Sequence, residues 1–389
     1  MSHFSVVVIG ANPEEQLAPF HEFECTGKND QYVRDIDETE ERRAEYESQT
    51  NDRYKDPEGN LHYPYDPQFY REPTEEELKN HGHNGRLMGS GCGGGISWSS
   101  RDWEDGKGYR GKVHFMPEGW EEVTINYKDE HTFDEYIKDY CEIAVVPFGT
   151  EPILGTGVRG EDAPHKYGYA LVDENGNIVK VVNRTNPNHK WDWYEIGGRW
   201  TGFFQTKNNN GIGTVGKPGL MTERAKPGRV DQTIKANIDF EAMRQEKETD
   251  AAALYDRVMA VIGHLPAHRS WKDDILEKEF VTEGRDAAIK LYRSQERVVA
   301  MDQCEDSDLR WIDLDDFTCT REEYIKRCGD HAAVPFALVM DSVWYEKGEM
   351  GWFGMASNEM DQDEWNRKVT ELYAELPNDT LITMVDCHI

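Results

Sequence analysis

The sequence predicts an α+β fold: two diverged ferredoxin-like (split β-α-β) units with a helical, loop-rich connection between them. Three observations carry this reading. First, Thr132–Phe148 and Thr320–Phe336 repeat at a constant offset of 188 residues with identity at 9 of 17 positions, where unrelated segments would share about one. Second, the chain beyond residue 296 spells strand, helix, two strands, helix, strand. Third, only 37% of the 389 residues are hydrophobic and 31% are charged, with 75 acids against 44 bases and a net charge of −31. The core must therefore be concentrated in a few segments beneath an acidic surface. The units are placed at residues 1–205, with an acidic and glycine-rich insertion at about 12–130, and at 296–389, with 206–295 as the connection.

Taken in order, Phe4–Ile9 is a β-branched run closed by Gly10, which reads as a strand in the middle of a sheet. Between Glu14 and Glu77, 20 acids face 7 bases, the composition of a solvated surface. Helix-compatible pieces lie there at Glu38–Ser48 and Thr74–Lys79, the second opened by Pro73 and the capping pair Thr74 and Glu77. Gly89–Gly95 reads as a flexible loop. In the repeat, Thr132 with Glu135 and Thr320 with Glu323 form the Thr-x-x-Glu box that starts a helix, because hydroxyl and carboxylate satisfy N–H groups left free in the first turn. Pro147 and Pro335 lead on to strands at Ala170–Val172 and Phe336–Met340, and in the first copy the turn Asp173–Asn177 opens a second strand, Ile178–Val182. Lys207–Arg229, rich in glycine, asparagine and proline, reads as a mobile loop. Apolar spacing predicts helices over Asp239–Ile262, capped by Gly263, and over Gly284–Val298. Val298–Met301 is expected to open the second unit as a strand, with a helix at Asp361–Glu375 and a final strand at Thr380–His388 completing it.

No apolar run reaches the ~18 residues of a membrane span, and the opening residues lack the basic segment of a signal peptide, so a cytoplasmic protein without a membrane partner is expected. Seven cysteines without any Cys-x-x-Cys point to free thiols. The acidic balance argues against direct nucleic-acid binding. It favours instead a protein partner with a basic face.

His3–Gly10, Asn12–Gly27 and Lys190–Gly202 together resemble an uncharacterised family of tailed phages and prophages, and the resemblance runs over most of the chain. It implies a phage accessory protein acting in the cytoplasm of the host bacterium. The expected function is to bind and modulate a host macromolecule, as a counter-defence inhibitor does. The rival expectation is a small-ligand or nucleotide-binding protein or enzyme with a pocket between the repeated units.

The contact candidates lie in two matching segments, Trp193-Tyr194-Glu195-Ile196-Gly197 and Trp344-Tyr345-Glu346-Lys347-Gly348. Trp193, Tyr194, Trp200, Trp344 and Tyr345 suit stacking on a flat ligand or a partner, and Glu195, Arg199 and Glu346 would fix its polar edge. Core packing at strand ends would use the same aromatic residues. Lys207, Lys217, Arg224, Lys226 and Arg229 form the one locally basic stretch, a candidate grip for an anionic ligand. Gly211–Lys217 matches the first seven positions of a phosphate-binding loop, but Pro218 replaces the Ser or Thr that would hold Mg²⁺. No cofactor is indicated. His21 and Cys25 supply metal-ligand residue types, but nothing gives two close pairs at zinc spacing. His3 and His388 would approach each other only if the first and last strands were neighbours in a sheet.

Overall fold

The computed structural model describes residues 2–22, 25–28, 30–83, 86–87, 113–220, 222–351 and 355–389. The fold is α+β, and the chain divides into a larger unit of residues 1–23 and 186–389 and a smaller unit of residues 24–185. These boundaries differ from the expected ones because the first strand pairs with the end of the chain.

In the larger unit the principal strands are β1 (His3–Ile9), β2 (Trp193–Gly198), β3 (Gln232–Ile234), β4 (Ala337–Met340), β5 (Val343–Glu346) and β6 (Leu381–His388). The principal helices are α1 (Phe240–Ile262), α2 (Arg321–Asp330) and α3 (Gln362–Glu375). Across the seven-stranded sheet the order is Lys217–Pro218, β2, β6, β1, β4, β5, with β3 also paired to β6. β1 runs antiparallel to β6, from His3↔His388 to Ile9↔Ile382, and parallel to β4, with Val6 opposite Ala337.

Strand alternation sends Phe4, Val6 and Val8 to one face and Val7 and Ile9 to the other. Both faces are covered, which is why β1 is nearly continuously apolar. On one face Val7, Ile9, Leu338, Ile382 and Met384 pack with Trp365, Val369 and Tyr373 of α3. On the other, Phe4, Val6 and Val8 pack with Leu17, Trp191, Val385 and Cys387. α1, whose N-cap Asp239 accepts from the Ala242 N–H, builds a third cluster from Ala251, Val258 and Ile262 with Met301, Phe317 and Tyr324.

Val298–Met301, expected as a strand, lies within the helix Glu296–Asp302. Met301 is buried there and Val298 is packed beside it, so contact with α1 overrides a short β-branched signal. The helix expected over Gly284–Val298 is accordingly divided, with a first piece at Arg285–Arg293. The place expected of Val298–Met301 beside the hairpin β4–β5 is taken by β1.

The repeat has a structural counterpart. Thr132 and Thr320 each form the complete capping box. The first opens the short helix Phe133–Glu135, which continues as a π turn over Tyr136–Tyr140, and the second opens α2. A hairpin follows each: Gly168–Val172 with Ile178–Thr185 in the smaller unit, and β4 with β5 in the larger. Each hairpin has a parallel neighbour on its first strand, Val145 opposite Ala170 and Val6 opposite Ala337. The Trp193 segment is not the second hairpin strand of the first copy, since it forms β2 in the larger unit.

In the smaller unit the sheet order is Val145–Val146, Gly168–Val172, Ile178–Thr185, Arg34–Asp37. Tyr127, Phe133, Tyr136, Ile137, Ala170, Ile178 and Val181 form its core. Helices form at Thr39–Ser48 and Glu75–His81, the latter with Thr74 and Glu77 bonded reciprocally as a capping box. Gly89–Gly95 lies outside the described residues. Among the described residues no helix is long and apolar enough to cross a membrane.

Met384 is fully buried on β6. Met384→Ala is expected to lower unfolding free energy by about 2–5 kcal/mol in a urea titration, with an unchanged slope.

Candidate functional site

The β1–β6–β2 register builds the site. His3 lies opposite His388, Ser5 opposite Asp386, Trp193 opposite His388 and Glu195 opposite Asp386. Because side chains alternate with period two, these residues share the sheet face that carries Val7, Ile9 and Met384. That face is apolar under α3 and polar at its other end.

His3 Nδ1 donates to Asp386 Oδ1 at 2.9 Å, and His388 Nδ1 donates to Asp192 Oδ1 at 2.7 Å. The two rings stand 4.9 Å apart, edge to face, and the Trp193 indole lies 6.2 Å from each. Their side chains keep 18% and 10% of their exposure, while Trp193 is 48% exposed. Among the described residues neither Nε2 has a hydrogen-bond partner. A carboxylate at Nδ1 fixes the tautomer, so each ring holds a proton at Nδ1 and offers Nε2 as acceptor or, once protonated, as donor.

Asp386 is almost fully buried, and its second oxygen accepts from the Arg199 backbone N–H at 2.9 Å. That approach requires Gly198, where φ is +54° and a Cβ would sit 2.3 Å from the Asp386 carboxylate. Gly197 beside it, at φ +85°, faces a second buried carboxylate, Asp231, at 2.8 Å from where its Cβ would be. Asp231 accepts from the N–H groups of Gly202 at 2.6 Å, Phe203 at 3.2 Å and Gly216 at 2.8 Å. Burial pushes its carboxyl above the usual range, with the three N–H groups pulling the other way. Through Gly216, Asp231 pins the Lys207–Arg229 segment, and Lys217–Pro218 pairs with Gly197–Gly198. The segment expected as a mobile loop thus carries sheet pairing, and among the described residues no phosphate-cradling helix follows Lys217.

The sequence candidates separate. Trp193 and Glu195 are on the histidine face, where Glu195 accepts from Lys217 at 3.1 Å. Arg199 contributes its backbone N–H, and Trp200 packs against the α3-side core. Tyr194 points to the opposite face, against Trp191 at 5.0 Å, and burial pushes its hydroxyl pKa up. Trp344 is also on that opposite face, packed on Phe4 and Phe20, with its Nε1 donating to Glu346. Glu346 accepts in addition from Lys190 at 2.7 Å. Tyr345 lies opposite Leu338 and is half exposed. The two Trp-Tyr-Glu segments therefore do not form one site, because register places their tryptophans on opposite faces.

Of the basic stretch, Arg224, Lys226 and Arg229 line a common cleft. Lys226 and Arg229 both go to Glu246, and Lys217 goes to Glu195. Lys207 and Arg224 are exposed and have no ion pair among the described residues. His21 stacks on Trp191 at 4.3 Å and meets the Asp192 carbonyl through Nε2 at 2.8 Å. Cys25 is buried in the smaller unit with its Sγ on the Arg184 carbonyl. Among the described residues no three His, Cys, Asp or Glu side chains are grouped to hold a metal ion.

Sequence reading missed Asp386 and Asp192, which have no motif, and held His3 and His388 only conditionally. Comparison with family models, curated proteins and solved structures finds no match. The chemistry of this site therefore rests on its own geometry.

Gly198→Ala is expected to destabilise the protein by roughly 1–3 kcal/mol and to shift the His3 ring ¹⁵N resonances. Gly211→Ala, at φ +64° with nothing within 4 Å of its Cβ, measures backbone strain alone. Equal costs at the two positions would rule out a crowded Gly198–Asp386 contact.

Proposed function

We propose that the histidine pair is a proton-transfer site acting on a small ligand seated against Trp193. The observation that carries this reading is the pair of separate carboxylates, Asp386 and Asp192, each holding one Nδ1 while both Nε2 atoms have no partner among the described residues. Two rings 4.9 Å apart supply an acceptor and a donor to the same substrate. One removes a proton from an attacking hydroxyl or water and the other gives one to the leaving oxygen, the general base and general acid of ester cleavage. Trp193 offers a flat apolar wall, and the Glu195–Lys217 pair borders it. The roles need both nitrogens accessible. Diethyl pyrocarbonate is expected to label His3 and His388 at Nε2, read by peptide mass spectrometry.

Activity is tested with p-nitrophenyl acetate and bis(p-nitrophenyl) phosphate. His3→Gln and His388→Gln are each expected to cut turnover about 10²-fold or more with a melting temperature near that of the parent. Parent-like turnover in both variants, or no turnover in the parent protein, would remove the assignment.

A second reading, binding of a host protein as implied by the phage-family resemblance, is supported by Trp311. This side chain is 91% exposed, and residues 302–316 around it hold seven acids and one base. An exposed indole in a segment of net negative charge suits a partner with a basic face. Trp311→Ala is expected to weaken such a complex by about 2 kcal/mol or more, with faster dissociation and unchanged melting. The shared capping box, helix and hairpin further support descent of the two units from one split β-α-β element.

A further inference from the structure

We propose that an open cleft of about 550 Å³ between the two arms of the Lys207–Arg229 segment binds a small phosphomonoester, a compact dianion on an organic body. Val215 and Pro218 line it from the outgoing arm, and Arg224, Lys226, Pro227 and Arg229 from the returning one. Neither histidine of the pair is in its lining. Both arms are held from beneath. Asp231 accepts from the Gly216 N–H at 2.8 Å, and Lys217–Pro218 pairs with β2. Phe204–Gln205 pairs with Arg229–Val230, and Thr206 Oγ donates to the Gly228 carbonyl at 2.6 Å. The returning arm also sits close on Gly202, where a Cβ would come within 2.8 Å of the Ala225 Cβ. The walls are thus in place before a ligand arrives, which lowers the cost of binding.

Charge selects the ligand. Residues 206–230 hold five bases and one acid in a chain of net charge −31. That acid, Glu223, borders an adjoining cleft with Glu246, Lys247 and Asp250, whereas the lining of this one has three cations and no carboxylate. Glu246 of α1 offsets one of the three from outside, meeting the Arg229 guanidinium and standing 3.9 Å from Lys226 Nζ. Arg229 is fixed, since its Nη1 donates to the Gly202 and Phe203 carbonyls at 3.2 Å each, so it supplies charge more than new hydrogen bonds. The free donors are the other two. Arg224 is exposed and has no ion pair among the described residues, and the Lys226 side chain is 76% exposed with its Nζ beyond hydrogen-bond reach of Glu246. Both are open to solvent and to a ligand. A guanidinium fork takes two phosphate oxygens and an ammonium takes a third. A phosphomonoester carries about 1.5 to 2 negative charges at pH 7, which matches the two cations left uncompensated. A carboxylate or a phosphodiester would leave one of them unmet. Val215, Pro218, Ala225 and Pro227 give the organic body an apolar wall.

The test compares phenyl phosphate with methyl phenyl phosphate, which keeps the ring and the phosphorus but carries a single charge, by ³¹P NMR titration at low ionic strength. The parent protein is expected to bind the monoester at least tenfold more tightly, and added salt is expected to weaken that binding. Arg224→Gln with Lys226→Gln is expected to reduce affinity for phenyl phosphate at least tenfold with the melting temperature retained, because both side chains are exposed. His3→Gln is expected to bind the monoester like the parent, which separates this cleft from the histidine pair. Equal affinity for the two probes in the parent protein would overturn the proposal, as would parent-like binding in the Arg224 and Lys226 double variant. Loss of binding in His3→Gln would overturn it too, by assigning the phosphate to the histidine site.

Discussion

The larger unit depends on one pairing, that of β1 with β6. These strands come from residues 3–9 and 381–388, and their register runs unbroken from His3↔His388 to Ile9↔Ile382. Closing so long a loop costs entropy that grows only logarithmically with its length, so burial on both faces of a seven-residue strand can offset it. β1 then presents its other edge to β4, and β6 presents its own to β2 and β3. Remove this pair and the sheet loses its centre, both of its cores and its histidine face together. Contacts of this separation raise the contact order of the fold, which slows folding relative to a chain held by local contacts.

The elements legible in the sequence are those whose signal is local. β1 and β6 each carry a continuous apolar stretch, Val6–Ile9 and Met384–Val385 with Leu381–Ile382, because both of their faces are covered there, and the capping boxes at Thr132 and Thr320 announce their helices. Asp239 and Asp361 cap α1 and α3 within a residue of the expected starts. What escapes is decided at a distance. Val298 and Val299 favour a strand locally, but packing against α1 makes them helical. Trp193 and Trp344 look equivalent in the chain, yet one lies opposite His388 and the other opposite Val339, on different faces. The histidine pair is a product of register alone, and no spacing along the chain reports Asp192 beside His388.

The Gly197–Gly198 pair shows how polar groups order the same region. Each glycine lets the backbone close on a buried carboxylate, Asp231 on one side and Asp386 on the other. Together the two acids accept from four backbone N–H groups. A satisfied buried network of this kind tolerates little rearrangement, since any shift strands a charge in a low dielectric. Asp386 thereby holds its imidazole on a rigid support, a condition that proton transfer over short distances requires.

The smaller unit leaves the larger after Phe23 and returns at Asn186. At that crossing the Asn186 side chain donates to the carbonyls of Pro19 and His21, Glu22 N–H donates to the Trp191 carbonyl at 2.7 Å, and Lys190 N–H donates to that of Phe20 at 2.7 Å. The outgoing and incoming chains are thus laced together before 162 residues depart between them. Such a neck makes the smaller unit a cassette. Evolution, or an engineer, can lengthen, exchange or excise it at the cost of rejoining two strands that already touch, and the sheet with its histidines keeps its register throughout.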